Sequence, residues 1–78
     1  MKESQLKLIE SRLIAATKGP WKSFVEGRDH ESGSNFIQTS ADDIELIGAT
    51  IADQDFIANC RVDVELLIRE IRQLKGFS

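Results

Sequence analysis

The sequence predicts an α+β fold: an N-terminal helix, a three-stranded antiparallel β-meander, and a C-terminal helix or kinked helix pair packed on the sheet. Three observations carry that expectation. Apolar residues recur at helical spacing near both ends of the chain. The middle is short, apolar and aromatic, and is punctuated by glycine and by acidic turns. Finally, 78 residues with 41% hydrophobic and 29% charged side chains suit one small globular domain, 1–78, and speak against a collagen-like or coiled-coil rod.

The first helix is expected over Ser4 to Thr17, with Leu6, Ile9, Leu13 and Ala16 as its apolar stripe and Ser4 as its cap. Gly19-Pro20 should end it, Gly19 supplying a left-handed residue after the last turn. Strands are expected at Trp21 to Glu26, Asn35 to Thr39 and Ile44 to Ile47. The polar loop Gly27 to Gly33 and the turn Ser40 to Asp43 join them. Asp42 to Ile51 can also be drawn as a helix. The meander is preferred because two strands alone make a poor sheet and Gly48 would interrupt a helix.

Asp53 is placed to cap a helix carrying Phe56, Ile57 and Cys60 on one side. Asp63 can cap again, opening a stripe of Val64, Leu67, Ile68, Ile71 and Leu74, so residues 53–75 form one helix or two. Glu65 and Arg69 make a favourable i, i+4 pair, and Gly76 closes the segment. Leu8 and Leu66 lie roughly opposite the two stripes. Either they are scattered exposed leucines, or a symmetric partner covers both helices on a second side.

The folding balance bears on that choice. Ordering the chain costs roughly 120 kcal/mol at about 1.5 kcal/mol per residue. Burying ~8,000 Å² on folding, some 60% of it apolar, at about 25 cal/mol/Å² returns about the same amount. With so little surplus, and one Cys60 that cannot cross-link the core internally, a homo-oligomer is the expected state.

Charge and composition exclude several classes of function. The net charge is −3 and the isoelectric point about 5.0, with no Lys/Arg stripe to neutralise phosphates, so duplex nucleic acid is not an expected partner. No apolar run approaches the ~20 residues that span a bilayer, and Met1 to Gln5 lacks the features of an export signal. A cytoplasmic protein with no membrane partner is expected.

Catalytic candidates are weak. His30 sits beside Asp29 and Glu31 in a glycine-bounded loop and reads as a solvated loop histidine. Cys60, next to Arg61, reads as a buried structural thiol without a second cysteine or a base. Asp42, Asp43, Glu45, Asp53 and Asp55 could serve Mg²⁺ chemistry, but turn and helix-terminus roles account for each. No metal, cofactor or enzymatic activity is expected.

The segment Asp55 to Asp63 is the better candidate. Asn59, Arg61 and Asp63 fall at the proposed helix–helix junction, where free N–H groups after Asp63 and the planar fork of Arg61 would meet a phosphate or carboxylate. Trp21 or Phe24 would stack on a base. In the competing reading Asp63 merely caps, Arg61 pairs with a local acid and Trp21 packs in the core.

Arg12 to Trp21 reads R-L-I-A-A-T-K-G-P-W, and Asp53 to Val64 reads D-Q-D-F-I-A-N-C-R-V-D-V. This pairing resembles a group of small bacteriophage and prophage proteins. In them an A-A-T-x-G-P-W element precedes a variable β region, and an A-x-F-I-A-x-A-R-x-D-V-P-x-L-L element follows it. The chain departs from the pattern at Lys18 and Glu65, where proline is common, and at Cys60, where alanine is. The resemblance implies a phage-type origin, and short phage accessory proteins are often binders or inhibitors directed at the host. On that footing a non-enzymatic anti-defence binding protein is expected, holding a nucleotide-like immune signal at an oligomer interface through Trp21, Phe24, Asn59, Arg61 and Asp63. A protein-binding, antitoxin-like inhibitor of a host protein is the alternative.

Overall fold

The computed structural model describes residues 1–31 and 33–76. Its elements run α1 (Glu3–Ala15), β1 (Lys22–Phe24), β2 (Phe36–Gln38), β3 (Asp43–Glu45) and α2 (Ile51–Lys75), an α+β arrangement. The three strands form one antiparallel sheet in the order β1-β2-β3. Ser23 stands opposite Ile37, and Ile37 opposite Ile44.

The helix ends differ from expectation. Lys2, not Ser4, is the N-cap of α1, because the Gln5 side chain reaches back and accepts the Lys2 N–H at 2.8 Å. At the other end Ala16 is already extended, and Gly19 does not take the left-handed conformation expected of it. The chain turns outward there so that the Thr17 carbonyl can accept two side-chain donors described below. The strands are shorter than expected and leave Trp21 outside β1, while β3 starts at Asp43, one residue before the expected Ile44.

The cap of α2 is Thr50, whose hydroxyl accepts the Asp53 N–H at 3.0 Å while Asp53 Oδ2 accepts the Thr50 N–H at 3.1 Å. Asp53 is therefore the return half of a capping box, not the cap. Asp63 caps nothing, since α2 runs unbroken from Ile51 to Lys75. Without a proline after Asp63 every N–H in that stretch can bond within the helix. Gly76 ends it at φ +69°, as expected.

One flank of α2 carries the rest of the molecule. Gln54 and Ala58 face the sheet, and Arg61, Ile68 and Arg72 follow on the same flank towards α1. Arg61 reaches Thr17 and Arg72 reaches Glu10, so α1 runs antiparallel to α2. Among the described residues the buried apolar side chains are Leu6, Val25, Ile37, Ala58 and Ile68. This corrects the expected inner stripe: Phe56, Leu67 and Leu74 are exposed, and only Ile68 of that set is buried. Leu8 and Leu66 are exposed within the single chain as well.

A polar pin joins α2 to the sheet. Gln54 is 1% exposed, and its Nε2 lies 2.9 Å from Ser23 Oγ and 3.0 Å from the carbonyls of both Phe24 and Phe36. Phe24 and Phe36 are opposed in the β1–β2 ladder, so one amide holds both strands against the helix.

Candidate functional site

A cleft of about 690 Å³ opens between α1, the Lys18–Trp21 turn and the middle of α2. Its floor is built from Thr17 outward. The Thr17 carbonyl accepts Trp21 Nε1 at 2.9 Å and Arg61 Nε at 3.1 Å, which draws the turn onto α2. Arg61 also donates through Nη1 to Glu65 Oε2 at 3.2 Å, and its side chain is only 12% exposed. Gly19 rests on the Arg61 stem, where an added Cβ would meet Cγ at 3.6 Å. The segments Arg12 to Trp21 and Asp53 to Val64 thus meet at Thr17, Trp21 and Arg61.

The cleft walls are mainly apolar. Leu13, Ile14, Pro20, Trp21 and Val62 line it, with Lys18 and Glu65 supplying opposite charges. Ile14 is 81% exposed although it lies on a helix facing the cleft. Such a surface suits an apolar group with a polar edge, and the preformed turn means little has to be ordered on binding.

Of the five residues expected to form the site, Trp21 and Arg61 come together and the other three do not. Phe24 stacks on Phe36 with ring centroids 5.2 Å apart, under Lys22 Nζ at 5.1 Å. Asn59 donates to the Asp55 carbonyl one turn earlier on its own helix, at 2.8 Å. Asp63 is exposed in mid-helix, so the expected set of free N–H groups after it does not exist. Arg61 is the junction between turn and helix, and two of its donor atoms are already engaged.

A second polar cluster ties the Val25–His30 loop to α2. Arg28 forms a fork with Asp55, at 2.8 and 3.0 Å, and donates through Nε to Asp29 at 2.9 Å. Asp29 in turn accepts the Val25 N–H at 2.8 Å. The Arg28 guanidinium, with help from the Ser23 hydroxyl, pulls the Asp55 carboxyl down to about 2 and lowers that of Asp29 as well. His30 corrects another expectation. Its side chain is largely buried, with centroids 6.2 Å from Phe24 and 5.0 Å from Phe36, rather than solvated in a loose loop. Cys60, expected to be buried, is partly exposed beside Ile9 and Val64.

Among the described residues no group of three His, Cys, Asp or Glu side chains is placed to hold a metal ion. No described helix is long and apolar enough to cross a membrane. No protein-family model, curated protein or solved structure matches the chain.

Proposed function

We propose that this chain is a non-enzymatic binding protein of the phage accessory type, which acts in the host cytoplasm by docking on a host protein through the α1–α2 cleft. The observation that carries the reading is the pair of exposed apolar walls, Ile14 and Val62, on either side of a floor already fixed by Trp21 and Arg61. An apolar anchor from a protein partner would fill such a cleft, and Lys18 and Glu65 would set its orientation. Sequestration of a nucleotide-like signal is the less favoured reading. It asks Arg61 and Asn59 to converge on one anion, and they act on different partners.

The test places a photo-crosslinking amino acid at Ile14, expresses the chain in a bacterial host and irradiates the cells. A single adduct of protein size, lost when Val62→Lys is added and absent with the crosslinker at Ser40, is the expected result. A retained adduct of nucleotide mass in native mass spectra, with no protein crosslink, would return the assignment to a nucleotide sponge.

A further inference from the structure

On the other side of the Trp21–Arg61 wall, α2 carries a second apolar surface. Ile57, Cys60, Val64, Leu67, Ile71 and Leu74 follow one another at spacings of three and four residues, an unbroken seam of heptad a and d positions. The a positions, Ile57, Val64 and Ile71, are all β-branched. Two of the three d positions, Leu67 and Leu74, are leucine. In a parallel arrangement of helices that combination favours two strands. The seam is open at Ile57, Leu67 and Leu74, the last two 60% and 78% exposed, and half-buried at Cys60, Val64 and Ile71, and it continues into an apolar groove of about 390 Å³ beside Ile9 and Arg12 of α1.

The chain as a whole is too open for its mass. Its accessible surface is 5693 Å², whereas a compact monomer of 8.8 kDa exposes about 4,800 Å². The radius of gyration is 15.0 Å, against about 11.5 Å for a compact 78-residue domain. The excess of about 900 Å² is similar in size to the area that one partner contributes to a stable interface, about 800 Å².

We infer that α2 pairs in parallel with α2 of a second copy of this chain along the Ile57–Leu74 seam. Charge agrees with that orientation. In a parallel pair the g position Glu70 faces the partner's Lys75 at e. Arg12 stands at the rim of the groove, on the side where a parallel partner would bring its acidic g positions, Asp63 and Glu70. An antiparallel pair would set those acids against each other. The interface is isologous and closes at two subunits. It leaves the cleft lined by Ile14 and Val62 open, so it stands whatever that cleft binds.

Sedimentation of the full chain across a concentration series, with Cys60 oxidation as a second readout, tests the pairing. The expected mass is twice 8.8 kDa, and Leu67→Lys with Leu74→Lys should weaken association roughly tenfold or more. Leu8→Lys should leave it unchanged. In a parallel pair the two Cys60 thiols face each other at a d layer. Diamide should then take two electrons and two protons from them, becoming a hydrazine as the S–S bond forms, and give a covalent dimer of the native chain. A single-chain mass at every concentration for the folded protein would overturn the inference. So would a dimer that forms no Cys60 disulfide, or one that both lysines leave intact.

Discussion

The two ends of α2 are held in different ways. At the sheet end a buried amide and a fork of charge-assisted bonds fix the helix to its own chain: Gln54 on the Phe24 and Phe36 carbonyls, Asp55 on Arg28. At the far end α1 covers one flank through Ile68 and the Glu10–Arg72 pair, and leaves the seam residues Leu67 and Leu74 in solvent. Directional bonds complete the first end within the chain. The second end keeps apolar residues at helical spacing that a single copy leaves in solvent.

If the sheet end is complete in itself, damage there should be large and independent of concentration. Replacing Gln54 by Leu leaves two strand carbonyls without their donor and should cost about 1–3 kcal/mol, read as a fall in the urea midpoint. Arg61→Ala, which frees the Thr17 carbonyl, should cost about 1–1.5 kcal/mol and loosen the turn that carries Trp21. Arg61→Lys should not restore it, because an ammonium cannot hold Thr17 and Glu65 with a fixed fork.

Acid should weaken the sheet end as well. Asp55 titrates near 2 in the folded protein, against an ordinary value of 3.8. The contribution of its pairing with Arg28 is therefore fully present above that ordinary value. It is lost as pH falls through about 2. Melting temperatures should be flat above the carboxylate range and decline below it, and Asp55→Asn should flatten the decline. The smallest effect belongs to Leu8→Ser, an exposed position outside both surfaces, which should stay within about 0.5 kcal/mol of the parent.

The order and type of the elements were legible because helical and strand periodicities survive in so short a chain. The ends were less so. Thr50 and Asp53 are both good capping residues three apart, and only the capping box decides which stands outside the helix. Asp63 looked like a second start because an acid preceded an apolar stripe, yet with no proline behind it the helix simply continues. Periodicity also reveals that a face is apolar without revealing what covers it, which is why Leu67 and Leu74 read as core. Trp21 and Arg61 do come together, but the Thr17 carbonyl that joins them carries no sequence signal. Gln54 was missed for the same reason: its role depends on carbonyls 18 and 30 residues away.

Hydrogen exchange at low and high protein concentration tests most directly the division of α2 between a self-sufficient end and a shared one. Amides of residues 57–74 should gain protection as concentration rises, while those of β1, β2 and the first turn of α2 stay constant. Equal protection at both ends of α2 at every concentration would contradict that division.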